Sequence, residues 1–227
     1  MRARYLPAVP DVLGHPLGFA LRHPRRVLNN RRTVRESAFV HRWLDGLRGI
    51  EIGAAAHNDF GVDALNVDRF AGEDTVYKAH ERHECGRAAR VDVVAPGDRL
   101  PFPDDSVDFV LASHVIEHFP DPIAALLEWR RVARRVIVLV VPHPDRTFDR
   151  GRPLTPVAEL VERHAARLQS DEDRHWSVWT LATFRALCDH LGLPVLDALD
   201  PDDKTGNGFM VALDASTVPA GHAPPAS

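Results

Sequence analysis

The sequence predicts an α/β protein with a doubly wound, mostly parallel sheet of seven strands, one of them antiparallel. Short apolar segments alternate with segments whose apolar residues recur at helical spacing, as expected for repeated strand and helix units. Residues 136–141 (VIVLVV) are a continuous apolar run, typical of a strand covered on both faces of a parallel sheet. Near the end, two apolar segments flank the turn-rich residues 200–207, which indicates a closing hairpin and the antiparallel strand.

The elements follow from local patterns along the chain. Strands are predicted at 49–53, 64–68, 89–95, 107–112, 136–141, 193–200 and 208–214. Helices are predicted from Thr33 to the residue before Gly49, over 73–84, from Asp121-Pro122, from Thr155 and from Thr180 to Gly192. Between the first two strands the chain has room for only a short helix or an irregular loop.

Three segments are expected along the chain. Residues 1–32 form an irregular Arg-rich arm, because prolines and glycines interrupt every periodic pattern there. Residues 33–214 form the folded domain, in which 142–179 is the longest polar interruption and is interpreted as an insertion or lid. Residues 215–227 are rich in Pro, Ala and Ser and are expected to be a disordered tail.

Charge and composition narrow the classes of function. The formal net charge is −4, but residues 1–35 hold eight Arg and one Asp, so the remainder is strongly acidic. An acidic body argues against extended nucleic-acid contact, although the arm could touch a phosphate if it is not simply solvated. No apolar run approaches the about 20 residues of a membrane span. With only two cysteines, isolated in sequence, a cytoplasmic protein with free thiols is expected.

The rest of the chain is organised around residues 49–68 (GIEIGAAAHNDFGVDALNVD), which combine two short strands with a turn of small residues. Gly53 lets the backbone bend sharply and lets a ligand approach closely. Asp68 ends the second strand, where nucleotide-binding folds place an acid that bonds both ribose hydroxyls. The alternative is an ordinary strand and turn unit of any α/β protein.

With the motifs LPFPDDSVDFVLASHVIEHFPDP and VIVLVVP, this stretch resembles the class I S-adenosylmethionine-dependent methyltransferases. The resemblance covers about residues 49–142. Within the family, the chain is similar to the small-molecule branch, whose members carry the motif H-x-x-EH. It implies the Rossmann-like methyltransferase fold, S-adenosylmethionine as cofactor, and methyl transfer to an O or N atom of a small-molecule acceptor. It assigns these residues to cofactor binding: Glu51, Gly53, Ala54, Ala55, His57, Asp68, Arg69, Pro96, Gly97, Asp98, Leu100, Ser113, His114 and His118.

This chain departs from the family pattern at two places. Ala55 and His57 stand where the family's loop has its second and third glycines, so side chains must be accommodated there. Pro96 stands where the family has an acid beside adenine, and Asp98, two residues on, is the candidate substitute.

Histidines are the candidate catalytic residues, because a hydroxyl or ammonium acceptor must lose a proton and imidazole has a suitable pKa. His143 follows the fifth strand and is the first candidate for general base, and His175 in the insertion is the second. His114 and His118 are competitors that are more simply interpreted as cofactor contacts.

No residue is assigned as a metal ligand, although two groups contain residue types that often bind metal ions. His80, His83 and Cys85 have crude metal-ligand spacing, but a solvated helix end explains them better. The insertion could bring residues 171–176 together with other polar groups as a divalent-ion site, a substrate pocket or merely a surface loop. Those other groups are His143, Asp145, Asp149 and His164. Trp176 and Trp179 could form the apolar wall of an acceptor site, or pack in the core.

Two rival functions stay open. The first is an RNA methyltransferase of the same fold, supported only by the Arg-rich arm. The second is a cofactor-binding or regulatory protein that has lost catalysis, supported by the GAAA run at 53–56 and by Pro96. A small-molecule partner is expected, nucleic acid and membrane are not, and a homodimer is left as an alternative to the monomer.

Overall fold

The computed structural model describes residues 36–71 and 75–216. The predicted arm, the proposed N-cap Thr33 and nearly all of the predicted tail lie outside these ranges. The strands are β1 Gly49–Ile52, β2 Ala64–Asp68, β3 Val93–Val94, β4 Val107–Ser113, β5 Ala133–Pro142, β6 Val195–Leu199 and β7 Gly208–Asp214. The α-helices are α1 Ala38–Leu44, α2 Val76–Cys85, α3 Pro122–Val132, α4 Val157–Ala165 and α5 Leu181–His190.

All seven strands form one sheet in the order β3-β2-β1-β4-β5-β7-β6. β1 pairs in parallel with β2 and β4, and β4 pairs in parallel with β5. β7 runs antiparallel to both β5 and β6. The predicted fold class is therefore confirmed. β2 and β3 lie on one side of β1, and the later strands lie on the other side, so the strand order reverses between β1 and β4. Ligands of such sheets bind at the carboxyl ends of the strands beside this reversal.

Strand β5 separates two buried layers, as the apolar run in the sequence predicts. Its alternate residues Ile137, Leu139 and Val141 join a core that includes Trp129. Val136, Val138 and Val140 join the core on the other face. Because successive side chains of a strand point to opposite faces, a strand buried on both faces needs an unbroken apolar sequence.

Four helices begin at polar caps whose side chains accept a backbone N–H. These caps are Ser37 for α1, Thr75 for α2, Asp121 for α3 and Thr180 for α5. The last three agree with the sequence pattern to within a few residues. In the described part of the chain, no helix is long and apolar enough to cross a membrane.

Several elements are shorter than the sequence predicts. Helix α1 covers only Ala38–Leu44 after its cap Ser37, instead of extending from Thr33 to the residue before Gly49. The third strand covers only Val93–Val94 instead of 89–95, because it lies at the sheet edge and pairs only with Val67 and Asp68. β6 is likewise shorter than the predicted 193–200. Between β1 and β2 the chain forms a single 3₁₀ turn, Ala56–Asn58, which agrees with the expected irregular connection.

Candidate active site

The turn after β1 has the backbone conformation that favours glycine. Gly53 has φ +69°, and its N–H donates to the Val67 carbonyl at 2.8 Å. A Cβ built on Gly53 would lie 3.0 Å from Cγ2 of Val115. The next amide, that of Ala54, donates to Oδ1 of Asn66 at 3.1 Å. The turn is thus fixed by β2, and Ala55 continues from it in an extended conformation.

A buried ion pair from α2 supports this turn. Nζ of Lys78 lies 2.8 Å from Oε1 of Glu81, and both side chains are almost fully buried. Oε2 of Glu81 accepts the amides of Ala56 at 2.9 Å and Ala89 at 2.6 Å. Burial by itself raises the pKa of Glu81, but the bonds from Ala56, Lys78 and Ala89 outweigh it and lower the pKa. The pair therefore holds a carboxylate under the turn.

Glu51 is a buried acid at the carboxyl end of β1. It lies in register between Asn66 of β2 and Leu111 of β4. Burial, with a further contribution from Asp59, raises the pKa of Glu51 to about 8 despite the nearby Lys204. This site therefore favours a neutral carboxylic acid at neutral pH unless a cation enters.

The end of β2 is tied both to the β3 loop and to the insertion. Oδ1 of Asp68 accepts the Phe70 amide at 2.9 Å, and the Asp68 carbonyl accepts the Ala95 amide at 3.0 Å. Arg69 forms an ion pair with Asp171 in the insertion. The two residues assigned from the resemblance therefore lie where the end of β2 meets residues 142–179.

Residues 96–100 form a turn packed closely against α3. The Gly97 carbonyl accepts the indole N–H of Trp129 at 2.7 Å. A Cβ on Gly97 would lie 2.9 Å from Cζ of Phe119, so only glycine fits there without displacement. Leu100 is buried, and its amide donates to Oε1 of Glu128 at 2.6 Å. Pro96 begins this turn, and Asp98 is half-buried within it.

The carboxyl end of β4 contacts the turn after β1. Oγ of Ser113 accepts the side-chain amide of Asn58 at 3.0 Å. His114 has φ +55°, and its N–H donates to the Val140 carbonyl at 2.9 Å. Burial lowers the pKa of His114. His57, on the 3₁₀ turn, packs edge-on against His80 with ring centroids 5.3 Å apart, and its pKa is also lowered, mainly by burial.

Glu117, His118 and His175 form what we call the histidine–carboxylate cluster. Oε1 of Glu117 lies 3.9 Å from Nε2 of His175 and 4.0 Å from Nε2 of His118. Glu117 is completely buried, and neither carboxyl oxygen has a hydrogen-bond partner. Burial raises the pKa of Glu117 to about 8.

Two further carboxylates orient the cluster's imidazoles. Nδ1 of His175 lies 2.6 Å from Oδ2 of Asp149, and Nδ1 of His118 lies 3.1 Å from Oδ1 of Asp173. An N–H on each Nδ1 donates to its carboxylate, which leaves the lone pair on Nε2 facing Glu117. Arg152 pairs with Asp149 on its far side.

The cluster opens into a cleft of about 510 Å³. The cleft is lined by Tyr77, His118, Phe148, Arg152, Asp173, Arg174 and His175. Phe148 is strongly exposed and packs against the His175 ring at a centroid distance of 4.5 Å.

Trp179 is buried in the core against Phe184, while the Trp176 ring lies under the Arg174 guanidinium at 3.6 Å. A second cavity, of about 400 Å³, is lined by Leu44–Arg48 and residues 61–63, before the amino ends of β1 and β2.

The other histidines named from the sequence have local roles. Nδ1 of His143 accepts the Asp145 amide at 3.2 Å, so His143 caps the short turn after β5. Nδ1 of His164 lies 2.9 Å from the buried Asp121 carboxylate. Among the described residues, the histidine–carboxylate cluster is the only group in which three or more potential metal-ligand atoms lie within 4.8 Å of one another.

Sequence reasoning did not select Glu117, Lys78 or Glu81 as functional. Glu117 was visible within the H-x-x-EH motif, and an acid between apolar residues and a histidine is a usable signal. Lys78 and Glu81 occur in a highly polar segment, which gave no indication that their side chains are buried.

The comparisons with known proteins agree with this geometry. Residues 53–141 match the family model described as "Methyltransferase domain". An uncharacterized methyltransferase of Mycolicibacterium paratuberculosis is 40% identical over 103 residues, which cover 44% of this chain and 37% of the relative. A probable S-adenosylmethionine-dependent methyltransferase of Mycobacterium tuberculosis is 39% identical over 92 residues, covering 40% of this chain and 32% of the relative. The chain thus matches about a third of these relatives' length.

A solved structure shows the same fold. It is a SAM-dependent methyltransferase of Thermotoga maritima, titled a possible histamine N-methyltransferase. The TM-score is 0.51 at 16% identity, with 89% of this chain and 100% of the other covered. Residues 53–141 thus match a methyltransferase-domain model, and the chain has the same fold as this S-adenosylmethionine-dependent methyltransferase.

Proposed function

We propose that the protein transfers a methyl group from S-adenosylmethionine to an O or N atom of a small-molecule acceptor. The observation that carries the proposal is the position of the cluster. Glu117 and His118 follow β4, directly across the sheet reversal from the turn at Gly53. A cofactor cradle and a group of proton acceptors therefore share the carboxyl edge where such sheets bind ligands.

The residues around the β1 turn suit the cofactor. Gly53 and Gly97 keep two backbone segments free of side chains that would displace their neighbours. A buried Glu51 would hold the ammonium of the methionine part as a carboxylate. Asp68 would bind the ribose hydroxyls, and Asp98 would lie at the adenine.

Other residues at the edge would complete this cradle. Ala54 and Ala55 would contribute backbone, and His57, Arg69, Pro96, Leu100, Ser113 and His114 would enclose the remaining surface. S-adenosylmethionine, when bound, supplies a methyl group on a positively charged sulfur, which needs an aligned acceptor more than covalent catalysis.

The cluster would hold the acceptor. Nε2 of His118 and Nε2 of His175 both present lone pairs near Glu117, so a hydroxyl or ammonium entering the cleft could give up its proton there. His175 fits the role better than His143. The Nδ1 lone pair of His143 already accepts the Asp145 amide, so we assign His143 to positioning the loop after β5. His118 likewise belongs with the acceptor rather than the cofactor.

The size and charge of the cleft favour a small acceptor. Its volume of about 510 Å³ is in the range of small-molecule sites. The acidic body of the chain does not favour a long nucleic-acid strand. Phe148 offers an exposed apolar surface beside the histidines, which suits an acceptor with an apolar or aromatic part.

The test separates the proposal from both rival functions. Titration calorimetry with S-adenosylmethionine is expected to show one site per chain. Labelled S-adenosylmethionine is then incubated with the small-molecule fraction and, separately, with the RNA and protein fractions of a bacterial extract. Label is expected in the small-molecule fraction and should fall at least about tenfold with Asp68→Ala at subsaturating S-adenosylmethionine. Label in RNA would favour the first rival, and cofactor binding without any transfer would favour the second.

A further inference from the structure

We propose that the histidine–carboxylate cluster of Glu117, His118 and His175 binds one divalent transition-metal ion, for which Zn²⁺ is the best match. One ligand atom from each residue lies within 4.8 Å of the other two. Two imidazoles and one carboxylate are the protein ligands of many catalytic zinc sites, which keep a fourth position open. Metal binding can be measured directly, so the inference does not depend on methyl transfer.

The spacing requires only a small contraction. An equilateral triangle with 4.8 Å sides has its centre about 2.8 Å from each corner, whereas Zn–N and Zn–O bonds are about 2.0–2.2 Å. Each ligand atom would therefore move inward by well under about 1 Å. Rotation of the side chains of His118 and Glu117 on their short 3₁₀ turn could provide this movement.

The unpartnered carboxylate is the independent sign that a ligand belongs here. Glu117 is completely buried, and both of its carboxyl oxygens lack hydrogen-bond partners. Buried polar groups are normally satisfied, because an unsatisfied one retains its full desolvation cost. The Glu117 carbonyl accepts the Trp176 amide at 2.7 Å, so this backbone is fastened to the insertion that carries His175. A cation between the carboxylate and the imidazoles would satisfy all three groups.

The surroundings match those of metal-bound histidines. Metal-ligating imidazoles usually donate their other N–H to a carboxylate, which fixes the tautomer and orientation. Asp149 and Asp173 accept from Nδ1 of His175 and His118, respectively. Nδ1 of His114 lies 3.8 Å from Oε1 of Glu117, so a third imidazole borders the site.

The donor set also selects the class of metal. Imidazole nitrogen suits Zn²⁺, Fe²⁺ and related ions, whereas Mg²⁺ and Ca²⁺ prefer oxygen ligands. His118 and His175 line the cleft, so the open coordination position would face it. If the proposed function holds, the metal would replace the imidazole lone pairs as the activating group. An acceptor hydroxyl bound at the open position would then lose its proton more easily, and the proton would pass to water in the cleft.

The experiment is a competition titration of the metal-free full chain. Chelator-treated protein is titrated with zinc chloride in the presence of a chromophoric chelator. The test variants are Glu117→Gln, His175→Gln and Asp149→Asn. The matched control is His164→Gln, since His164 is also a histidine paired with a buried carboxylate but lies outside the cluster. A second control, Cys85→Ser, tests the spacing around α2.

We expect one tight equivalent of Zn²⁺ per wild-type chain. Loss of Glu117 or His175 as a ligand should weaken binding by at least about 100-fold, and loss of the Asp149 contact by about 10–100-fold. Both controls should bind as the wild type does. Thermal unfolding in EDTA checks that each variant is folded, and Asp149→Asn carries the test if the ligand variants are not.

Several results would overturn the metal site. These are no tight equivalent for Zn²⁺, Fe²⁺ or Mn²⁺, equal losses in His164→Gln, or binding that depends on Cys85 and not on the cluster. S-adenosylmethionine calorimetry on the wild type, with and without Zn²⁺, separates the two proposals. Cofactor binding without metal binding overturns only the metal site, and the reverse overturns only the proposed function.

Discussion

Replacing Glu51 with glutamine tests whether Glu51 binds the cofactor, because the proton that Glu51 would release on binding can be measured. Burial is the main cause that raises the pKa of Glu51 to about 8. With that pKa, about 1% of the carboxyl groups are ionised at pH 6 and about 9% at pH 7. If the ionised form pairs with the cofactor's ammonium, binding must first remove the proton, so affinity follows the ionised fraction.

The magnitudes follow directly from those fractions. Wild-type affinity for S-adenosylmethionine should rise about ninefold between pH 6 and pH 7, and binding at pH 7 should release about 0.9 proton per chain. Glu51→Gln should show neither effect, since glutamine imitates the neutral acid. Titration calorimetry in two buffers of different ionisation enthalpy gives both quantities. A wild-type affinity that is flat over this range, with no proton released, would refute the assignment of Glu51.

The same group predicts an opposite trend in stability. Because the folded pKa of Glu51 lies above the usual value of 4.5, the unfolded chain ionises first as the pH rises. The stabilising contribution is complete below about pH 4.5 and is lost progressively toward pH 8, by at most about 5 kcal/mol. Denaturant unfolding should therefore show Glu51→Gln gaining stability relative to wild type between pH 5 and pH 8. A constant difference would mean that Glu51 is ionised in the folded protein.

Three further substitutions test the cradle and its support. Gly53→Ala and Gly46→Ala impose a similar backbone cost of about 1–2 kcal/mol, since both glycines have positive φ, but only Gly53→Ala should weaken S-adenosylmethionine binding by tenfold or more in calorimetry. Asp68→Ala should weaken cofactor binding by about 1.5–3 kcal/mol without changing the unfolding midpoint, and unchanged affinity would remove the ribose assignment. Lys78→Met should lower the free energy of unfolding by about 3–5 kcal/mol because it leaves Glu81 buried without its cation. The double variant with Glu81→Gln should recover part of that loss in denaturant titration, and no recovery would contradict the pairing.

The fold could be predicted because its signals are local. Strand β5 could be recognised from its continuous apolar run, and the caps at Asp121 and Thr180 could be recognised from the residues next to them. The predicted bounds of β3 were wrong because the length of an edge strand depends on how far the neighbouring strand extends. The sequence of 89–95 carries no information about that neighbour.

The site was predictable in part. Gly53 and Asp68 belong to one continuous stretch, so their closeness to each other follows from the parallel pairing of β1 with β2. Glu117 and His175 are far apart in sequence and meet only because the insertion docks its backbone on the 3₁₀ turn. His143 is at the end of β5 as expected, but its ring nitrogen accepts an amide two residues away, a detail of turn geometry.

The most direct test of the central claim is a crystal structure of the full chain with S-adenosylhomocysteine. We expect its amino group to contact Glu51, its ribose to contact Asp68, and its sulfur to lie between the Gly53 turn and the histidine–carboxylate cluster. A ligand bound elsewhere, or a sulfur facing away from Glu117, His118 and His175, would contradict the central claim.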